Sequence, residues 1–444
     1  MRTSRIGWVC VAIAALGLAG PAGAEGEAPV VADILEVLKQ RGLVDQGEYQ
    51  RLAAKNATYE KEQASWAPKI AWSGDFRFRH ETFWFDEDAA GAEKPDRTRL
   101  RYRFRLKGEL EVNEWADVVF RMVSGDFDNR STNQTLGGNG PDFDTDEILL
   151  DLAFARLRAP SDWVPLEGGK LSLEMGKVEN PFVWKQGKDF MLWDHDITLE
   201  GVQVLLASKP AEGTELFANG GYYIIDENSS TRDPHFWALQ AGARQELAED
   251  VTLGARATWY EFRSIDSSFN ARGATGAGGV TAGGGNIADG LNGDIAGDPF
   301  SVIEAAAYIE YAGVENWPIL LYGDYSRNTQ AEDSALFPGA SQQGSAWGIG
   351  VEVGDKKKYV TLGTGYWHIE ANAFPSMFID SDLFDGFTNR KGWAIYGSRT
   401  ILKNTDVNLT LFISDEIKDL LPPFATSVAS AQRMRLQADM VFKF

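Results

Sequence analysis

Arg433-Met-Arg-Leu-Gln-Ala-Asp-Met-Val-Phe-Lys-Phe444 ends the chain, and it alternates residue by residue. Met434, Leu436, Ala438, Met440, Phe442 and Phe444 share one face. Arg433, Arg435, Gln437, Asp439 and Lys443 share the other, with Val441 the exception. A period of two with one apolar face is a strand signature. A soluble sheet can show that alternation too, so the opposite end of the chain has to be read with it.

Arg2 and Arg5 followed by the apolar stretch Ile6 to Gly20 and by Ala22-Gly23-Ala24 form a secretory signal, with the mature chain starting near Glu25. The stretch is too short for a spanning helix. An exported chain closing on an amphipathic strand and a terminal Phe reads as an outer-membrane β-barrel. Cys10 is the one cysteine and lies in the signal, so the mature chain has no disulfide, thiolate metal site or thiol nucleophile. The net charge of −21 excludes a nucleic-acid partner, which needs a basic face. A mean hydropathy of −0.27 looks too polar for a membrane protein, but a barrel needs apolar residues only at alternate positions. A closed barrel also accommodates so long a chain without a large dry core.

Between the two ends the period changes once. Ile34, Leu35, Val37 and Leu38 sit at helical spacing, with Gly42 as a C-cap, and Asp45 with Glu48 starts a second helix running to about Gln63. From Lys69 the period is two. Candidate strands lie near 69–86, 97–112, 115–126, 147–158, 170–178, 199–208, 214–225, 235–248, 251–262, 300–313, 318–327, 344–354, 357–370, 391–402, 405–415 and 430–444, about 16 in all, an even number as such barrels require. The segments 214–225, 357–370 and 391–402 show no clear apolar face. Connections alternate between short turns, such as Glu249-Asp250 and Lys403-Asn404, and long loops, such as 179–198, 263–299 and 371–390. The expected fold is thus all-β: a transmembrane antiparallel barrel over 69–444, after a signal (1–24) and a short periplasmic helical segment (25–68).

The strongest chemical signal is on the second strand. Arg97, Arg99, Arg101, Arg103, Arg105 and Lys107 occupy one face, opposite Leu100, Tyr102, Phe104, Leu106 and Leu110. One such charge facing lipid at the midplane costs roughly 2–4 kcal/mol, so six in a row must face the lumen. Arg77 and Arg79 on the first strand join them, and closure brings in Arg433 and Arg435. An opposing acidic wall is expected from Glu304, Glu310, Asp324 and Glu352, and the loop 179–198 adds Glu179, Asp189, Asp194 and Asp196. If that loop folds inward, acids face arginines across an aqueous gap and a transverse field orients polar solutes. Alternatively the arginines pair with acids and hold the wall in shape; the two roles are compatible. His80, His195, His235 and His368 show no metal-ligand spacing. An outer-membrane hydrolase would need a pair such as His368 with Ser398. No metal, cofactor or catalytic residue is expected.

Two further stretches carry a resemblance. Met175-Gly-Lys-Val-Glu-Asn-Pro-Phe182 and Leu192-Trp-Asp-His-Asp-Ile-Thr-Leu-Glu-Gly201, after the helical start, resemble the putative porin family of Gram-negative bacteria, within the general-porin barrel group. The resemblance implies passive diffusion of small polar or ionic solutes through a water-filled channel constricted by 179–198. It implies an outer-membrane homotrimer among lipid and lipopolysaccharide, with Phe442 and Phe444 as the end read by the assembly machinery. Leu38 to Tyr49 also looks like the start of phosphate-selective porins. An anion channel and a non-conducting structural barrel are the alternative functions.

Overall fold

The computed structural model describes residues 30–63, 70–85, 95–125, 130–138, 143, 145–183, 191–227, 229, 232–265, 286, 300–333, 342–417 and 432–444. The signal region and Asp189 lie outside the described residues. The chain divides into two compact units, Met1–Lys69 and Ile70–Phe444.

In the first unit α1 spans Val30–Gln40 and α2 spans Gln46–Gln63. Gly42 at φ +66 closes α1. Its N–H donates to Lys39 O at 2.9 Å, and that of Leu43 donates to Leu38 O at 3.0 Å, the paired bonds of a Schellman cap. Asp45 Oδ1 accepts the Glu48 N–H at 2.8 Å, which satisfies a first-turn donor of α2. Both caps stand at the positions expected from sequence.

The second unit begins with β1 Ile70–Phe85, β2 Arg97–Asn113, β3 Ala116–Ser124, β4 Gln134–Thr135, β5 Ile148–Arg158, β6 Lys170–Val178, β7 Leu199–Ala211 and β8 Thr214–Ile224. It continues with β9 His235–Ala248, β10 Val251–Arg263, β11 Ser301–Tyr311, β12 Ile319–Asn328, β13 Ser345–Val353, β14 Thr361–Ile369, β15 Arg390–Leu402, β16 Thr405–Glu416 and β17 Gln432–Lys443. The two-residue β4 only extends the sheet beside β2. The other sixteen pair antiparallel with their neighbours, and β1 pairs with both β2 and β17, so the sheet is closed. Closure leaves no open edge, the condition for crossing a membrane with strands. Among the described residues no helix is long and apolar enough to do so.

The outer face carries exposed Phe76, Phe78, Leu239, Ile303, Ile349 and Leu409, while their chain neighbours point inward and are mostly buried. The interior departs from the expectation of a barrel without a dry core. Phe182 and Met191 to Trp193 of the β6–β7 loop pack with Phe374, Phe378, Leu383 and Phe384 of the β14–β15 loop. Both loops pack against Tyr223, Phe236, Tyr260, Phe262 and Trp367 of the inner wall. Trp193 lies 5.1 Å from the Phe378 ring and 5.9 Å from that of Tyr260. The ambiguous segments now have a cause. β8, β14 and β15 turn lipid-facing side chains outward and Tyr223, Trp367, Ile369, Ala394 and Tyr396 inward onto the loops, so both their faces are apolar.

The seam is sealed by the last residue. The Gly74 N–H donates to Phe444 O at 2.8 Å, and the Phe444 N–H donates to Gly74 O at 3.1 Å. A Cβ on Gly74 would stand 2.4 Å from the Arg105 carbonyl oxygen on β2 and 2.7 Å from two atoms of the Phe444 ring, closer than side chains tolerate. Gly74→Val is expected to lower the folded yield severalfold, read as loss of the compact, fast-migrating band on unheated denaturing gels. A wild-type yield would show that close approach at Gly74, to β2 and to Phe444, does not govern closure.

Candidate functional site

Strand register sets the problem that the site solves. Arg77 stands opposite Arg103, and Arg79 opposite Arg101, on the inner face of β1 and β2. Like charges directly opposite one another destabilise a sheet unless counter-charges intervene. The sheet supplies some. Asp75 Oδ1 and Oδ2 accept from Arg103 and Arg105 at 2.7 and 2.9 Å, and Asp439 on β17 accepts two bonds from Arg79 at 2.7 and 2.9 Å. Glu81, fully buried, accepts from Arg99 and Arg435.

The loops supply the rest. Asp382 takes Arg79 Nη1 and Arg435 Nη2, each at 2.9 Å, and Asp385 takes Arg433 Nη1 at 2.9 Å. Asp196 accepts from Arg105 Nη1 at 3.3 Å, lies 3.6 Å from Arg103, and accepts from the backbone and hydroxyl of Thr132. Arg77 and Arg101 donate to Asn133 and Ser131 in the β3–β5 connection. Lys107 Nζ reaches Glu179 at 2.9 Å. Arg97 is exposed.

Three connections therefore meet on the ladder. Asp194 joins two of them: its N–H donates to Phe378 O at 2.7 Å, and its carboxylate accepts from Ser381 N at 2.6 Å and Asp196 N at 2.8 Å. His195 Nδ1 lies 3.0 Å from Asp380 Oδ2. The Ser381 hydroxyl donates to Arg130 O, whose guanidinium donates to Ser376 O and Gly386 O.

Charge fixes the protonation of these loop acids. Burial would raise the Asp196 carboxyl, but the guanidiniums of Arg105, Arg103 and Arg77 outweigh it and hold it below the ordinary carboxylate range. Asp382 is likewise depressed against burial, by Arg79, Arg435 and Arg77. Asp194 moves the other way, because burial and the neighbouring Asp380 and Asp196 carboxylates raise it.

The acids that meet the arginines do so at contact distance, not across a gap, and two of them, Asp382 and Asp385, come from the β14–β15 loop. Glu304 stands on the inner face of β11 with Arg256 at 2.9 Å and Tyr260 as partners. Glu310, Asp324 and Glu352 share that face at other heights. The residues missed were Asp382, Asp385, Glu81, Asp439 and Asp75. Alternation already puts Asp75 and Glu81 on the face of Arg77 and Arg79, and Asp439 on that of Arg435; Asp382 and Asp385 lie among Phe374, Phe378, Leu383 and Phe384, which are too apolar for a solvated loop. The hydrolase pair does not form. His368 opposes Lys391 and Ser398 opposes Thr361, seven residues apart along β14, roughly 24 Å.

Depressed carboxyls contribute stability that is present above the unfolded value, near pH 3.9, and lost as pH falls toward their folded values. The loop anchor is therefore expected to weaken below about pH 4, measured as faster proteolysis of the β14–β15 loop in vesicle-embedded protein. Asp382→Asn should give that sensitivity at neutral pH, at a cost of about 2 kcal/mol for removing one of the counter-charges that Arg79 and Arg435 share. Unchanged proteolysis in both cases would show that the ion pairs do not hold the loop.

The sequence profile of the putative porin family matches residues 91–282 and 295–436. No curated protein sequence matches the chain. Among solved structures, OprB of Pseudomonas putida aligns with a TM-score of 0.52 at 8% identity, over 87% of this chain and 96% of that one, a likeness of fold alone. Two mutants of Rhodopseudomonas blastica porin align at TM-scores of 0.42 and 0.41, with 10% and 11% identity, over 84% of this chain and 100% of theirs. A channel-forming outer-membrane barrel is what the family supports. The chain belongs to the putative porin family.

Proposed function

We propose that the protein is an outer-membrane porin, assembled as a homotrimer, through which small polar or ionic solutes diffuse passively past a constriction set by loop 179–198 together with the inward segment 370–389. Sixteen strands enclose a lumen that eight would fill with side chains, so size allows it. The observation that carries the reading is the seating of Asp196, Asp382 and Asp385 on the arginine ladder. Loops tied to the wall in this way leave an opening of fixed size beside them. Because the ladder is matched by carboxylates, its long-range field is weak, and modest ion selectivity follows.

A non-conducting structural barrel is the second reading, favoured by the apolar contact of Trp193 with Phe374 and Phe378 across the two loops. A phosphate-type anion channel would need Arg101 and Arg103 to release Ser131, Asp75 and Asp196. Purified protein in planar bilayers should give stepwise KCl currents. Replacing residues 376–386 by a short Gly-Ser linker should raise the unit conductance severalfold. Absence of any step in wild type and linker variant would select the structural barrel. Saturable phosphate current abolished by Arg101→Ala with Arg103→Ala would select the anion channel.

A further inference from the structure

Away from the ladder, near the short-turn end, the lumen holds a cavity of about 970 Å³ roofed by Pro181 and Val183 of the β6–β7 loop. Two inner-face rows of the sheet line it. Register places Arg158, Ser172, Leu205, Asn219 and Gln240 in one row across β5 to β9. It places Lys170, Ala207, Phe217, Gly242 and Arg256 in the next, across β6 to β10. The ion pairs of the ladder use none of these side chains.

One side of the cavity is cationic. Arg156 Nε donates to Glu174 at 2.6 Å, and Asp117 takes Arg158, which fixes both guanidiniums while the Arg158 side chain stays 45% exposed. Arg256 is matched by Glu304. Lys170 is exposed and has no hydrogen-bond or ion-pair partner among the described residues, so its positive charge is surplus. Glu215, the acid on the lining, is taken by Lys209 at 2.7 Å. The other side carries a flat ring, and Arg256 next to it is the one already matched by Glu304. The Phe217 ring lies across Gly242, where any Cβ would strike it. Asn219 Nδ2 donates to Gln240 Oε1 at 2.9 Å, and Gln240 Nε2 donates to Thr258 at 3.0 Å, which leaves Asn219 Oδ1 as an acceptor.

An unneutralised ammonium beside a ring face and an amide acceptor suits one class of solute. The geometry points to a subsite for small carboxylates that carry a flat ring, with the carboxylate at Lys170 and Arg158 and the ring on Phe217. A ligand site of several hundred Å³ accommodates such a molecule. The inference rests on the channel reading for its biological sense, though binding can be measured without conduction.

Benzoate, acetate and benzyl alcohol serve as probes, measured by calorimetry on detergent-folded protein and by interruption of KCl current in bilayers. Benzoate is expected to bind more tightly than either of the other two. Lys170→Gln should weaken benzoate about tenfold, the loss expected for one charge-assisted contact. Phe217→Leu should weaken benzoate but leave acetate unchanged, while Lys403→Gln in the β15–β16 turn keeps wild-type affinity. The folded band on unheated gels certifies each variant, and either informative variant suffices if the other fails to fold. Equal affinity for benzoate and benzyl alcohol, or benzoate affinity unchanged in both variants, overturns the subsite. Calorimetric binding with the expected variant effects but no KCl current leaves the subsite standing and removes the channel. Current without benzoate binding does the reverse.

Discussion

Two pairs of arginines face each other across the first two strands, and the closed wall would be strained without anions between them. A guanidinium cannot give up its proton at any ordinary pH, so the conflict has to be relieved by geometry. The relief comes from Asp75, Glu81 and Asp439 in the wall and from Asp196, Asp382 and Asp385 in the loops. Much else in the interior follows from that need. The loops must enter the barrel to deliver their carboxylates, and once inside they must bury their backbone and their apolar side chains.

The apolar side chains solve the second half of the problem. Phe182, Trp193, Phe374 and Phe378 are held against Tyr223, Tyr260 and Phe262, away from the ladder. A loop clamped by ion pairs along one edge and by aromatic packing along the other has little freedom to swing. Bidentate geometry adds direction as well as energy, as in the twin bonds from Arg79 to Asp439. Buried ion pairs contribute little net stability compared with an apolar core, but breaking one partner is costly. The ladder is therefore better understood as a positioning device for the loops than as a source of stability.

Position then decides chemistry. Guanidiniums matched at contact distance are poor long-range attractors, whereas Lys170, with no partner among the described residues, keeps its charge for whatever enters the turn-end cavity. The polarity of the lumen is thus uneven: neutralised along the ladder, and cationic beside Lys170.

The barrel itself was legible in the sequence. Alternation over thirteen of the sixteen segments, the short–long rhythm of the connections and the terminal Phe444 each follow from local rules, because strand faces and turns are set by neighbours in the chain. The Gly42 and Asp45 caps were legible for the same reason. That Arg77, Arg79 and the β2 arginines share one face was also readable, since parity along a strand is local. The partners of those arginines were not. Asp382 and Arg79 are separated by 303 residues, and Arg435 and Glu81 by 354, so no local pattern links them. Apolar residues on both faces of β8, β14 and β15 looked like noise until the loops lay against them. Periodicity fixes which way a side chain points, but only the closed barrel decides what it meets.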